Sequence, residues 1–412
     1  MSGLPSPRRL WWLMVIFVGC YFSIFAFFPS LFLFVGVNHF GVWFLDTYAL
    51  LASNDALSAG LDPYAVNPLD PFGRPHVYTH WWLHLRNLGL TRADNFLVGA
   101  SFGLAFFVAA IARLRPRASG ELVWYLAILC SSPLLLALNR ANNDLVIFTL
   151  LAPVVPCLLS SRRTWQLFAA LLIAVAAGLK FYPAIAGLVL LAGDDARERR
   201  GRVIFGVIIL ALVGVNLAHD LTRVGTLAPK AEGIMTFGAV NLLTAFGLTG
   251  WSVPVAALVM AGAIVVGFWR SHVFTEWKIP AESHDAWLSF VLGGALLTGC
   301  FFTGSNYAYR WVFALWLAPL LWQLPRDPLA PPAVRRLART TGVLLLLTLW
   351  IDPATSVVLG NFQGHATADT ILRWADRIFL WEQPITWALF ACLLGFLTHF
   401  TRRGVRTLLS RD

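Results

Sequence analysis

Long, uninterrupted apolar segments are the feature of this chain that most restricts its fold. Hydrophobic residues make up 58% of the 412 residues and charged residues only 13%, whereas soluble globular proteins carry about 25% charged residues. A water-soluble fold cannot bury so much apolar side chain, which excludes a soluble enzyme. Disordered chains are poor in aromatic residues, and the 18 Trp and 31 Phe residues exclude that class as well.

The apolar segments predict a polytopic membrane protein. A helix that crosses the bilayer needs about 20 mostly apolar residues, and a transmembrane β-barrel would show short alternating segments instead. We therefore predict an all-α transmembrane helical bundle of about twelve spans, some short or re-entrant, forming a single integral membrane domain over residues 1–412. The spans are placed near 10–36, 95–112, 121–137, 145–160, 165–178, 184–193, 203–218, 251–269, 286–302, 311–324, 340–351 and 385–400.

The distribution of Lys and Arg predicts how the bundle is oriented. With the N-terminus inside and twelve alternating spans, 21 of the 31 basic residues lie in cytoplasmic segments, and the net charge is +12 inside and −2 outside. Cytoplasmic loops carry an excess of Lys and Arg, so both termini are predicted to be cytoplasmic in a cell (inner) membrane. The long external segments are then 37–94, 219–250 and 352–383. Basic residues in short loops do not indicate a nucleic-acid partner.

The first external loop, 37–94, contains the main candidate for catalysis. Residues 46–58 predict a helix that begins at Asp46. Spacing alone favours Asp46 as a helix N-cap. Its position among aromatic residues at the lipid–water boundary favours another interpretation, in which a partly desolvated carboxylate acts as general base for a hydroxyl. Asp55 and Asp62 are rivals, although the first is expected to face solvent and the second to shape a turn.

Three histidines of the same loop recur every four residues: His76, His80 and His84. This spacing permits metal binding, but no carboxylate lies among them, and the neighbouring Trp81 and Trp82 indicate packing at the membrane interface. A group of imidazoles beside a sugar or phosphate pocket is the other interpretation. The five cysteines lie in apolar segments without metal-ligand spacing. We therefore predict no metal site.

Lys180 is the basic residue that topology explains least. It lies between the segments 165–178 and 184–193, which we predict to be partial helices that meet inside or near the membrane, and 237–250 is predicted to dip in similarly. A lysine that extends to the surface is the simple alternative. Because Lys180 lies at the external end, against the charge bias, and intramembrane charges are usually functional, we prefer phosphate binding.

Two external helix hairpins carry further charged residues. Arg310 is a second candidate phosphate ligand, although an arginine beside interfacial aromatic residues is common. Arg140 and Asp144 belong to an Asn-rich turn, and the simplest expectation is that they pair with each other.

In combination, these positions resemble a known family. It is the polyprenol-phosphate-mannose-dependent mannosyltransferases, which include the mycobacterial phosphatidylinositol mannoside enzymes and have the C-type membrane glycosyltransferase fold. The motifs that carry the resemblance are DTY at 46–48 with GLDPY at 60–64, Tyr78 ahead of the second span, the Asn-rich turn at 139–144, and GLKFYP at 178–183 with the basic run that follows it. The resemblance covers residues 10–200 and extends further only in hydropathy.

The sequence departs from the family pattern at two places. Thr79 and His80 follow Tyr78 where the family often has Pro-Pro, and Ala141 and Asn142 stand where Gly-Gln is usual. Either difference could change the preference for sugar or acceptor.

The resemblance implies transfer of a mannosyl or other hexosyl group from a polyprenyl-phosphate donor to a lipid or glycan acceptor on the external or periplasmic face. Asp46 would take the acceptor proton, the anomeric carbon would invert, and Lys180 with Arg310 would hold the leaving phosphate. No cofactor or metal is required; the partners are the polyprenyl-linked sugar, the acceptor and membrane lipids. The implied substrate pocket contains Tyr48, Tyr78, His80, Asn142 and Tyr182.

Two other functions fit the same hydropathy. Twelve spans with broken helices suit a lipid-linked sugar transporter or flippase, but no second loop resembles 37–94, as repeated halves would require. A non-catalytic lipid-binding scaffold is the third possibility, and it leaves the external position of Lys180 unexplained.

Overall fold

Helices account for nearly all the regular structure. The computed structural model describes residues 6–37, 39–65, 67–193, 195–227, 231, 235–242, 258, 261–262, 265–267, 269, 271–274, 277, 280, 283–362 and 368–409. Within these ranges the α-helices are Pro7–Phe27, Leu45–Ser58, Asn95–Arg113, Ser119–Leu129, Ser132–Arg140, Asp144–Leu151, Val154–Leu159, Arg163–Leu179, Ala196–Asn216, Ala218–Leu227, His284–Thr303, Ala318–Gln323, Pro332–Phe362 and Ala368–Leu409. The 3-10 helices are Pro29–Val35, His80–Leu88, Arg92–Asp94, Tyr182–Leu191, Ser271–Phe274, Ala308–Trp316 and Leu324–Arg326. The strands Thr236–Phe237 and Asn306–Tyr307 pair antiparallel.

The apolar helices confirm an all-α membrane protein. In the described part of the chain, four helices are long and apolar enough to cross a membrane, or up to six if each of two bent pairs is one span. The four are Pro7–Phe27, Arg92–Arg113, His284–Thr303 and Ile378–Arg406; the pairs are Ser119–Leu129 with Ser132–Arg140, bent by 51°, and Ala196–Asn216 with Ala218–Leu227, bent by 62°. The count of twelve spans stays a prediction.

The predicted break around Lys180 is confirmed. Two short apolar helices, Arg163–Leu179 and Tyr182–Leu191, flank it, and the second is a 3-10 helix. The predicted re-entrant segment 237–250 and the span 251–269 lie largely outside the described residues. The predicted external segment 352–383 is helical wherever it is described.

The chain folds into two compact units, each built from separate stretches of sequence. The first unit comprises Met1–His39, Ile111–Leu136 and Ala231–Arg406; the second comprises Phe40–Ala110, Ala137–Lys230 and Thr407–Asp412. The prediction of a single membrane domain stays a prediction.

In the first unit, the His284–Thr303 helix is largely buried, and its Phe301 ring stacks on Phe390 at a centroid distance of 3.9 Å. The Pro7–Phe27 helix of the same unit instead exposes most of its apolar side chains. Such exposure is expected for a helix that contacts lipid.

In the second unit, the Arg163–Leu179 helix is central. Eight of its residues are buried, and its main contacts are with five neighbouring helices: His80–Leu88, Asp144–Leu151, Val154–Leu159, Tyr182–Leu191 and Ala196–Asn216. Every candidate site residue except Arg310 lies in this second unit.

Candidate functional site

The helix that carries Asp46 runs from Leu45 to Ser58, one residue longer than predicted. Its start is fixed by tertiary contacts rather than by a side-chain cap. Phe44 precedes it with a left-handed backbone (φ 59°) and donates its N–H to Asn139 O at 3.0 Å. Thr47 donates its hydroxyl to Ala141 O at 2.8 Å. These bonds hold the first turn against the Asn-rich turn, and the interpretation of Asp46 as an N-cap is wrong.

The carboxylate of Asp46 is buried among donors; its side chain is only 7% exposed. Asn142 Nδ2 donates to Oδ2 at 2.6 Å. Two guanidinium groups face Oδ1: Arg140 Nη1 at 3.5 Å and Arg74 Nη1 at 3.7 Å. Arg140 therefore pairs with Asp46, and the expected pair of Arg140 with Asp144 is wrong.

Arg74 is held in place by groups other than Asp46. Its Nε and Nη2 donate to the two carboxylate oxygens of Asp70 at 3.0 and 2.8 Å, and Nη2 also donates to Leu45 O at 3.1 Å. A two-point contact of this kind fixes a guanidinium in orientation as well as position. Arg74 is thus a preorganised cation beside the candidate base, with a side chain 32% exposed.

Asn142 occupies the centre of the site and is fully buried. The preceding Ala141 adopts φ 42°, in the left-handed region that favours glycine, which agrees with the glycine that the resembled family usually has there. Asn142 Oδ1 accepts the backbone N–H of Asp144 at 2.9 Å and the ammonium of Lys180 at 3.4 Å. Because Nδ2 contacts Asp46, a single amide connects the candidate base with the candidate phosphate ligand.

Lys180 follows the last residue of the Arg163–Leu179 helix in extended conformation. Its side chain is 8% exposed and forms an ion pair with Asp144, so Lys180 does not extend to the surface. Tyr182 donates its hydroxyl to the same carboxylate at 2.6 Å. The ammonium lies 5.5 Å from the ring centre of Tyr78 and 5.8 Å from that of Tyr182. The cation is thus surrounded by a carboxylate, an amide and two aromatic rings.

The segment after Tyr78 binds the end of the helix that precedes Lys180. Thr79 donates its hydroxyl to Gly178 O at 2.7 Å, and Trp82 donates its indole N–H to Leu179 O at 3.0 Å. Carbonyl groups at a helix end have no partner within the helix, and these side chains supply one. Tyr78 is thereby positioned next to the lysine.

His80 is paired with Asp220, an acid that no sequence signal identifies. Asp220 Oδ2 accepts both the backbone N–H of His80 at 2.9 Å and its ring Nδ1–H at 2.7 Å. A proline at position 80, as in the resembled family, could not donate that backbone N–H. Asp220 is itself buried.

The three histidines do not form a metal site. His76 is buried and donates Nε2–H to Thr79 O at 3.2 Å, His80 binds Asp220, and His84 is exposed beside Asn87. In the described part of the chain, no three metal-ligating side chains come together. The spacing of four residues fails as a guide because His76 precedes the helix and His80–Leu88 is a 3-10 helix.

The other predicted site residues have fewer contacts. Tyr48 is half-buried on the Leu45–Ser58 helix. Arg310 belongs to the first unit, where its guanidinium donates to Asn306 Oδ1. Two sequence rivals of Asp46 have other roles: Asp55 pairs with Arg92 at 3.2 Å, and Asp62 accepts the N–H of Tyr64 in a turn.

Sequence reasoning missed Arg74, Asp144 and Asp220 as members of the polar cluster. A signal existed for Arg74, because it is a basic residue of the external segment 37–94 and so opposes the charge bias, as Lys180 does. No sequence signal identifies Asp144 as the partner of Lys180 or Asp220 as that of His80, because both contacts are tertiary.

Residues 89–279 match the family model of glycosyltransferase family 87. This range contains Asn142, Asp144, Lys180 and Asp220, but not Asp46. No curated protein and no solved structure matches the chain. The family match and the apolar helices together support a membrane glycosyltransferase.

Proposed function

We propose that the protein transfers a hexosyl group, mannosyl by resemblance, from a polyprenyl phosphate to a hydroxyl of a lipid or glycan acceptor. The observation that carries the proposal is the amide of Asn142, which contacts Asp46 Oδ2 and Lys180 Nζ. A base for the acceptor and a cation for the leaving phosphate are the two groups that such a transfer needs, and one buried cluster contains both. The match to glycosyltransferase family 87 supports the same reaction class.

In the proposed reaction, the acceptor oxygen attacks the anomeric carbon from the face opposite the phosphate. Its proton passes to the carboxylate of Asp46, the new C–O bond forms, and the bond from the anomeric carbon to the phosphate oxygen breaks. The polyprenyl phosphate leaves with the bonding electron pair. A single displacement inverts the anomeric centre. Arg74 and Arg140 hold the carboxylate in one orientation, so that the base is positioned before the acceptor binds.

Lys180 is the proposed ligand of the leaving phosphate. Negative charge on the phosphate grows as the bond breaks, and a fixed cation at a site of low dielectric stabilises that charge more than water would. Asp144 and Tyr182 fix the ammonium in position. Tyr48, Tyr78, His80, Asn142 and Tyr182 are proposed as the substrate pocket. The role of Arg310 as a second phosphate ligand stays a prediction from the sequence.

The location of the reaction follows from the charge distribution. Because 21 of the 31 basic residues fall in segments predicted to be cytoplasmic, we place both termini in the cytoplasm and the site on the external or periplasmic face. A donor on a long lipid carrier would then enter from the membrane. The reaction needs no cofactor.

The test is the Asp46→Asn variant, purified in detergent and returned to vesicles. A radiolabelled polyprenyl-phosphate mannose is supplied with an acceptor lipid extract, and labelled product is separated from donor. Asn keeps the size and polarity of Asp but cannot accept the proton, so transfer should fall at least about a thousandfold, within the range expected for loss of general-base catalysis. The matched control is Asp55→Asn, on the same helix and likewise paired with an arginine, which should keep its activity.

Three outcomes would decide against the proposal. Transfer by Asp46→Asn at the wild-type rate would remove Asp46 from the mechanism. Movement of labelled donor across the vesicle membrane without a new glycosidic bond would instead identify a flippase. A product whose anomeric configuration equals that of the donor would exclude the single displacement.

A further inference from the structure

A polar pocket of 370 Å³ lies in the first unit, and the proposed transfer does not use it. Its lining residues come from the ends of several helices. Arg113 is the last residue of Asn95–Arg113, Asp285 and Ser289 lie in the first turns of His284–Thr303, and Gln323 ends Ala318–Gln323. The pocket therefore lies where apolar helices begin and end.

Three arginines line this pocket, and they differ in their contacts. Arg113 donates to Asp285 Oδ1 at 2.9 Å and to the hydroxyl of Ser289, which neutralises its charge. Arg115 and Arg117 are exposed, and no carboxylate of the described residues lies within salt-bridge distance of either guanidinium. Among the described residues, these two positive charges therefore have no ion-pair partner.

The loop that carries these two arginines is fixed. Leu114 is buried, and the backbone N–H of Arg117 donates to Glu121 Oε2 at 2.7 Å. Glu121 is buried and accepts the hydroxyl of Tyr125 through its other oxygen at 2.7 Å. Glu121 therefore fixes the backbone of the loop, and both Arg115 and Arg117 line the pocket. A cation site whose backbone is already ordered loses less entropy when a ligand binds.

We propose that this pocket binds a phosphate group through Arg115 and Arg117. Guanidinium groups present planar pairs of N–H donors that match phosphate oxygens, and Ser289 and Gln323 add polar lining. The charge distribution predicts this helix boundary to be cytoplasmic, where anionic phospholipids are abundant and basic pockets between helices bind their headgroups. The phosphate could belong to such a lipid or to a soluble phosphate ester.

The experiment measures thermal stabilisation of the full chain in neutral detergent. Short-chain phosphatidylglycerol, short-chain phosphatidylcholine and inorganic phosphate are titrated separately. If a lipid supplies the phosphate, phosphatidylglycerol stabilises the protein and phosphatidylcholine does not, while inorganic phosphate has no effect at the same concentrations. If the source is soluble, inorganic phosphate alone stabilises the protein.

The variant Arg115→Gln/Arg117→Gln should bind the stabilising titrant with an affinity at least about tenfold lower than that of the wild type. This is the effect of losing one charge-assisted hydrogen bond. The matched control is Arg8→Gln/Arg9→Gln, which removes the same charge from exposed positions of the same unit and should bind as the wild type does. The proposal is overturned if no titrant stabilises the wild type, or if both double variants weaken binding equally, which would indicate only general charge attraction.

Discussion

Asp46 and Lys180 are far apart in the sequence, but both are hydrogen-bonded to the side-chain amide of Asn142. Asn142 donates to the carboxylate at 2.6 Å and accepts from the ammonium at 3.4 Å. A buried amide bonded on both sides has one favourable orientation, because its donor and acceptor are not interchangeable. The acid and the cation are therefore held at a fixed separation, which is what a base and a leaving-group ligand that act on one substrate require.

Replacing Asn142 with Ala should separate the contribution of this amide to catalysis from its contribution to folding. The carboxylate and the ammonium each lose one hydrogen bond, and a hydrogen bond to a charged group contributes about 1.5–3 kcal/mol. We expect the rate of sugar transfer to fall about 10- to 100-fold. Initial-rate measurements at saturating donor check this.

The matched control is Asn67→Ala. Asn67 is equally buried, donates to Ser53 Oγ at 3.3 Å and accepts the N–H of Leu69 at 3.2 Å. We expect Asn67→Ala to lower the free energy of unfolding by about 1–3 kcal/mol and Asn142→Ala by at least as much, but only Asn142→Ala to slow transfer. Equal rates for the two variants would mean that the bridge is structural alone.

The ion pair of Lys180 with Asp144 supports a double-mutant test. Removing one member of a buried pair leaves the other charge uncompensated and costs about 3–5 kcal/mol, whereas replacing both by apolar residues of similar size is often neutral. We expect Lys180→Met and Asp144→Leu each to be strongly destabilised and the double variant to recover most of the stability. Thermal unfolding in detergent is measured for the wild type, the two single variants and the double variant.

The activity of the same double variant decides the role of Lys180. If the lysine binds the leaving phosphate, transfer stays at least about a hundredfold below the wild type despite the recovered stability, because no cation remains at the reacting centre. Recovery of activity together with stability would show that Lys180 is needed only to neutralise Asp144.

The sequence predicted the parts of the site that depend on local signals. The helix at 46–58 and the break at 178–183 follow from apolar spacing, turn residues and a Pro, and both agree with the structure. For the convergence of Asp46 with Lys180, the sequence offers only family resemblance and topology. The structure shows its physical basis, the amide of Asn142.

Pairing between distant residues could not be predicted in the same way. Arg140 and Asp144 are close in sequence, and proximity alone predicts that they pair with each other. The structure instead pairs Arg140 with Asp46 and Asp144 with Lys180. The 3-10 form of Tyr182–Leu191 was also missed, because hydropathy does not distinguish it from an α-helix.

Gly178 should not tolerate a larger side chain. A Cβ atom at this position would lie 2.0 Å from the ring of Trp81, whose indole N–H is bonded to Asn216 Oδ1 at 2.9 Å. We expect Gly178→Ala to cost about 1–3 kcal/mol of stability through overpacking and to reduce transfer, since the displaced segment carries Tyr78. Thermal unfolding and initial rates check both effects.

The control for this variant is Gly214→Ala, a helical glycine with open space around it. Alanine is the better helix former by about 1 kcal/mol, so this variant should be as stable as the wild type or more stable. Loss of stability in both variants to the same extent would contradict the packing argument.

Stability between pH 6.5 and 4 should depend on His76. Burial lowers the pKa of this imidazole from 6.5 to about 4, against the opposing effects of its bond to Thr79 O and the charge of Asp220. Its Nδ1 atom is buried and meets no hydrogen-bond partner among the described residues. A second ring proton therefore has no acceptor in the folded state.

The sign of the effect follows from proton linkage. Between pH 6.5 and 4 the unfolded chain binds a proton at His76 and the folded chain does not, so the free energy of unfolding falls as the pH falls, by about 3 kcal/mol across the window. His76→Gln keeps a donor toward Thr79 O and removes this titration, so its thermal midpoint should fall less than that of the wild type between pH 7 and 4.5. His84→Gln, at an exposed position, should follow the wild-type curve. Parallel curves for His76→Gln and the wild type would show that the buried imidazole does not control acid stability, because every other titrating group is common to both proteins.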